Sequence, residues 1–250
     1  MKQAEKCFFR DQLRSARAVA LADAEGFHSI LLAVEMLGQQ LDRKATGIGG
    51  YKTVLSVLAS KSPLAVDLPG DWPSCHTGFE VLHDELKQAR NDAVHQGAYA
   101  RTITDHAVEL SMVLEDALMI DASAVSQFMV RNVVEAKLWH PVSYVRLQML
   151  SQAFSYLPIR HGDDWKLISE FSIAKHLRTA TSGNARRRRL AALVSDAIAG
   201  GNLELLDAST VHPEASISDA LKLIREHPVL VVDSERSNVL VGLLTASDVL

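Results

Sequence analysis

The sequence predicts an α + α/β protein, with a helical bundle over residues 1–120 followed by short β-strands and helices over 121–250. Three observations predict it. Apolar residues recur at helical intervals throughout the first half and no strand pattern interrupts them. From about residue 121 the pattern changes to short aliphatic runs bounded by turn residues. The second half also repeats itself, since "HPVSYVRLQML" from His140 and "HPEASISDALKL" from His212 both place a helix after His-Pro, with Pro141 and Pro213 72 residues apart. Two such units, neither able to close a core alone, should pack as an internal pseudo-dimer.

In order along the chain, "EKCFFRDQLRSARAVALADA" and "FHSILLAVEMLGQQLDR" read as amphipathic helices. The glycine break "TGIGGY" should separate the second from a helix "KTVLSVLAS", and the Pro/Gly-rich "KSPLAVDLPGDWPSCHTG" should be a loop. "FEVLHDELKQARNDAVHQG" follows as a helix stopped by Gly97, and "TITDHAVELSMVLEDALM" closes the bundle from a Thr or Asp cap. In the second half "VVEAKL", "SYLPIR", "WKLISE", "LELLD", "VLVVDS" and "NVLVGLLT" read as strands, with helices at "VSYVRLQMLSQA" and "SISDALKLIREH".

Composition narrows the function classes. A net charge of −4 gives no global attraction to nucleic acid, so any such contact needs a local patch. The densest basic run is Arg186–Arg189, which fits either a solvated linker or helix start, or a surface for phosphate or RNA. Cys7 and Cys75 form no C-x-x-C, which points to a reducing cytoplasm without structural zinc. No metal-ligand spacing is present, and "GIGG" lacks the G-K-[ST] of a phosphate loop. No segment reads as a secretory signal or a membrane span.

Within the repeats, a Met-Val-Arg opening, a Pro-initiated helix, a buried strand and a closing Gly-h-h-Thr-x-x-Asp occur in order. Residues of about 122–180 and 195–250 thereby resemble two CBS motifs, together a CBS pair or Bateman module. The resemblance implies an adenine nucleotide (ATP, ADP or AMP) or a related adenosyl ligand as regulator. Its Asp would accept from ribose hydroxyls, and its Thr/Ser would meet ribose or phosphate near a helix N-terminus. The second motif keeps Gly242, Thr245 and Asp248. The first keeps Ser169 but has Ser172 in place of Asp and Lys166 in place of Gly, so one occupied cleft is expected. Read without the family, Thr245 and Asp248 equally suit the cap of a helix.

The helical half resembles a HEPN domain, on "RNDAVH" in its penultimate helix: Arg90, a polar Asn91 and His95. That resemblance implies metal-independent cleavage of an RNA substrate to a 2′,3′-cyclic phosphate. Imidazole is suited to proton transfer near neutral pH, and guanidinium to the charge growing on phosphoryl oxygens. Residues five apart on a helix lie about 140° apart, so Arg90 and His95 do not share a face. Two copies across a two-fold axis could unite them, which makes a homodimer through the helical domain the expectation, with a tetramer through the CBS pairs as an extension. Arg and His near a helix C-terminus also answer to its dipole alone. The sequence thus supports two readings: a nucleotide-gated ribonuclease of defence or toxin type, or a non-catalytic nucleotide sensor whose helical half is a dimerisation or adaptor module.

Overall fold

The computed structural model describes residues 1–23, 26–91, 97–178, 180 and 182–250, with the side chains of 91 and 97–101 outside that description. The chain divides into two compact units, Met1–Ala122 and Ser123–Leu250.

The first unit is helical. Its long helices are α1 (Gln3–Ala22), α2 (Phe27–Leu41), α3 (Gly47–Ala59), α6 (Phe79–Asn91) and α7 (Gly97–Met119), with one-turn helices α4 (Pro63–Val66) and α5 (Leu68–Asp71) between α3 and α6. Each long helix buries one stripe. Phe9, Leu13, Ala16 and Ala20 of α1 meet Ile30, Val34 and Leu37 of α2, Leu55 of α3, Leu82 and Leu86 of α6, and Leu110 and Leu114 of α7 in one core. Glu115 and His83 are among the polar groups buried with them. Glu115 of α7 accepts from Arg14 and Arg17 of α1, at 3.1 and 2.5 Å. Burial pushes its carboxyl above the usual carboxylate range, against the pull of both guanidiniums. His83 of α6, fully buried, donates from Nε2 to the Ile48 carbonyl at 3.1 Å, and burial holds its imidazole below the ordinary value.

Three sequence expectations change here. The glycine break is the first turn of α3, which begins five residues early because Thr46 is extended and ends the preceding turn. The expected loop at 61–78 contains α4 and α5, each with proline in its first turn, where the missing N–H costs no hydrogen bond. α6 is described as far as Asn91, and Gly97 already belongs to α7 instead of lying just past α6, so the expected Thr or Asp cap falls inside α7.

The second unit holds α8 (Val125–Phe128), α9 (Val142–Gln152), β1 (Tyr156–His161), β2 (Asp164–Ser169), α10 (Glu170–Arg178), α11 (Gly183–Ala191), α12 (Val194–Ala199), β3 (Leu206–Asp207), β4 (Thr210–Val211), α13 (Ile217–Leu223), β5 (Val229–Val232) and β6 (Leu240–Leu244). A single 3-10 turn, Ala246–Asp248, follows. One sheet has the order β1-β2-β3 and is antiparallel; the other has the order β4-β5-β6, with β4 parallel and β6 antiparallel to β5. Trp165 and Leu167 of β2 pack on Leu230 and Val232 of β5 and so join the two sheets.

The internal repeat is visible as an exchange of partners. β2 of the first repeat pairs with β3, through Leu167 and Leu206, while β6 of the second pairs with Val130, through Leu243. The leading helices do the same. Val194 donates to the His140 carbonyl and Val125 to that of Ala215, both at 2.9 Å; Ser195 donates to Leu138 and Ser126 to Pro213. Val142 and Ile217, first residues of α9 and α13, return bonds to Ala192 and Ser123. Each repeat therefore completes the other, as expected of two units that cannot close a core alone. "VVEAKL" forms no strand: it contributes one parallel bridge, Ala136 to Ile159, where the second repeat has β4.

Candidate functional site

The second unit contains a cleft of about 490 Å³. Its floor is the crossing of Val130 and Leu243, held by reciprocal backbone bonds of 2.8 and 3.0 Å. One wall comes from the turn between α9 and β1 with the start of β1, including Phe154, Tyr156 and Leu157; the opposite wall is Ile224–Pro228 between α13 and β5. Tyr156 ties the walls together, its hydroxyl donating to the Glu226 carbonyl at 3.0 Å. Thr245, Ser247 and Asp248 close one end.

That end is built by the chain leaving β6. Thr245 is extended and caps the 3-10 turn. The Asp248 carboxylate folds back, and its Oδ2 accepts from both the Thr245 amide and hydroxyl at 2.7 Å. The Thr245 and Ser247 hydroxyls lie 2.8 Å apart. Asp248 is thus a positioned, largely buried carboxylate beside two hydroxyls, a group of acceptors and donors suited to a polyhydroxylated ligand. The apolar walls suit a flat ring. Capping and binding are not exclusive here, because a carboxylate offers about four acceptor positions.

The other nucleotide-site expectations fall elsewhere. Gly242 does not line the cleft. A Cβ at this position would lie 2.6 Å from Met129 Sδ and 3.1 Å from the Val130 carbonyl oxygen, so glycine lets the two repeats cross. Lys166 takes the corresponding place in the first repeat and forms an ion pair with Asp207 at 2.5 Å, which raises the lysine and lowers the aspartate. Ser169 and Ser172 are buried and bonded to each other, Oγ to Oγ at 2.6 Å, with the Ser172 amide donating to Ser169 Oγ at 3.0 Å. They close the junction of β2 and α10 as a cap, and neither lines this cleft.

Sequence reasoning missed the wall Ile224–Pro228, which it placed in a helix running to His227. α13 stops at Leu223. The signal was Pro228, which disfavours helical backbone at the residue before it. His227 lines the cleft with its Nδ1 buried and without a hydrogen-bond partner among the described residues.

In the helical unit, Arg90 is near the end of α6, its side chain 46% exposed, and Nη1 lies 3.1 Å from Glu35 Oε1 of α2. Gly47, at φ +66°, allows this approach; a Cβ there would stand 3.1 Å from Arg90 Nη1. Asn91 is the last described residue of α6, its side chain outside the described residues, and His95 lies outside them entirely. Among the described residues no three His, Cys, Asp or Glu side chains converge as metal ligands, and no helix is long and apolar enough to cross a membrane.

Residues 205–250 match the CBS domain family, so the second repeat is a CBS domain. No curated protein matches the chain. Solved structures similar to it include CBSX2 in complex with AMP, at 19% identity and a TM-score of 0.38, covering 50% of this chain and 92% of that one. The CBS-pair protein CBSX2 from Arabidopsis thaliana is 20% identical, with a TM-score of 0.38 and coverage of 50% and 90%. A CBS domain-containing protein of unknown function from Bacillus anthracis str. Ames Ancestor is 19% identical, with a TM-score of 0.38 and coverage of 50% and 88%.

Proposed function

We propose that this chain is a nucleotide sensor, in which the cleft of the second unit binds an adenine nucleotide or a related adenosyl ligand and the helical unit serves as dimerisation or adaptor module. The observation that carries the reading is the Thr245–Asp248 group at the end of an apolar-walled cleft, inside a CBS domain. Asp248 would accept ribose hydroxyls, Thr245 and Ser247 would bond ribose or phosphate, and the base would lie between the apolar walls. Regulation requires the ligand to bind two arrangements of the protein with different affinity.

Titration calorimetry with AMP, ADP, ATP and S-adenosylmethionine tests this. At least one should bind, and Asp248→Ala should weaken it by roughly 10- to 100-fold, the cost of a hydrogen bond to a charged group. Absence of heat and of any thermal shift with all four would end the proposal.

Cleavage of RNA by Arg90, Asn91 and His95 across a homodimer is a second proposal. It is favoured by the half-exposed guanidinium near the end of α6, and it must accommodate the ion pair with Glu35. Structured RNA incubated with wild type, Arg90→Ala and His95→Ala decides it: cleavage ending in 2′,3′-cyclic phosphate should be lost in both variants. Equal cleavage by all three, or none by any, removes it.

A further inference from the structure

The four arginines Arg186–Arg189 lie on α11, which carries no acidic residue. Arg186, Arg187 and Arg188 are exposed and enter no ion pair among the described residues. Arg189 is turned inward instead, donating to the His176 carbonyl of α10. That bond brings the end of α10, with exposed Arg178, beside the same helix.

Aromatic rings stand at the other end of this surface. The residues just after α11 are stitched to the segment before α9: Val142 donates to Ala192, and Val194 to His140, each at 2.9 Å. That segment and the first turn of α9 carry a ladder of three rings. Trp139 packs edge-on against His140 at 4.3 Å between centroids, and His140 against Tyr144 at 4.7 Å. Trp139 is 70% and Tyr144 41% exposed, so large π-faces meet solvent. Burial and the neighbouring Lys137 lower the His140 imidazole below its ordinary value, which favours a neutral ring. The acids on adjoining segments include Glu135, paired with Lys137, Asp196, which accepts from Ser195 Oγ, the exposed Glu170 in the first turn of α10, and Glu204, paired with Lys175 of α10.

We propose that α11 and the Trp139–Tyr144 ladder form a binding surface for single-stranded nucleic acid, separate from the cleft. Unpaired arginines follow a phosphate backbone, and exposed rings accept bases by stacking; together they are the chemistry of single-strand binding. An acidic peptide would satisfy the arginines and leave the rings unused. A membrane would need an apolar face on α11, and the helix has none.

Fluorescence anisotropy of the full chain with labelled U20, dT20 and a 20-base-pair duplex, at several salt concentrations, tests the assignment. Both single strands should bind more tightly than the duplex, and a preference for U20 over dT20 would narrow the surface to RNA. Replacing Arg186, Arg187 and Arg188 together by Gln should reduce the slope of log affinity against log salt by about 2. Trp139→Ala should weaken binding roughly 5- to 150-fold with the slope unchanged. All four side chains are exposed, and an unchanged thermal midpoint will show that the fold is kept. Binding that neither replacement alters overturns the proposal. So does duplex bound as tightly as U20, or poly-glutamate displacing U20 as well as unlabelled U20 does.

Discussion

Glycine is needed at Gly242 and at Gly47 for different reasons, contact in one case and backbone conformation in the other. At Gly242 a methyl group would overlap Met129 at 2.6 Å, and Met129 is itself buried, with little room to retreat. Gly242→Ala should cost about 1–3 kcal/mol by overpacking, seen as a lower denaturant midpoint for the second unit. At Gly47 the cost has another origin: φ of +66° is left-handed, so Gly47→Ala should lose about 1–2 kcal/mol even with Arg90 free to swing away. Combining Gly47→Ala with Arg90→Ala separates the two effects, since backbone strain survives loss of the arginine. The residue pattern Gly-h-h-Thr-x-x-Asp was legible in the sequence, but not the division of labour within it. Thr245 and Asp248 line the cleft, whereas Gly242 answers to a segment more than a hundred residues earlier.

The α1–α7 and α3–α6 contacts carry the buried charge chemistry of the helical unit. Removing the carboxylate by Glu115→Ala takes away the acceptor that Arg14 and Arg17 share; the expected loss is about 1.5–3 kcal/mol in chemical denaturation. His83 links α6 to α3 as a neutral donor, and burial depresses its folded-state pKa below 6.5. The folded state therefore binds fewer protons than the unfolded one. Its contribution is complete above pH 6.5 and is lost as pH falls toward the depressed value. Thermal unfolding should show the helical unit weakening on acidification from pH 7 to 5.5, and His83→Gln, which keeps a donor but not the titration, should flatten that part of the curve. Glu80 and Asp84, lowered by Lys52, act in a separate window below about pH 4.5. Helical periodicity announced these helices, because burial follows a 3.6-residue repeat. Their starts were harder to see: a run of glycines marks a break as readily as the first turn of α3, and backbone conformation at Thr46 made the difference.

Each of the two units has a core of its own, built from Leu13, Leu37 and Leu114 in one and from Val142, Ile159 and Leu230 in the other. Residues 123–250 expressed alone should therefore unfold cooperatively, and if the proposed nucleotide binds the cleft it should raise the midpoint of this fragment and of the full chain alike. A fragment that stays unfolded, or loses the ligand effect, would count against an independent sensor. The sequence by itself determined the helical first half, the change of pattern near residue 121, the repeat, and the CBS domain of the second repeat. All of these are written in local spacing and local chemistry. Only the tertiary structure decided which strands and helices the two repeats exchange, that Ser169 and Ser172 bond each other, and that Ile224–Pro228 faces Thr245 and Asp248. Those outcomes depend on which distant segments meet in space, and the free energy of such meetings comes from long-range burial and pairing that no local pattern encodes.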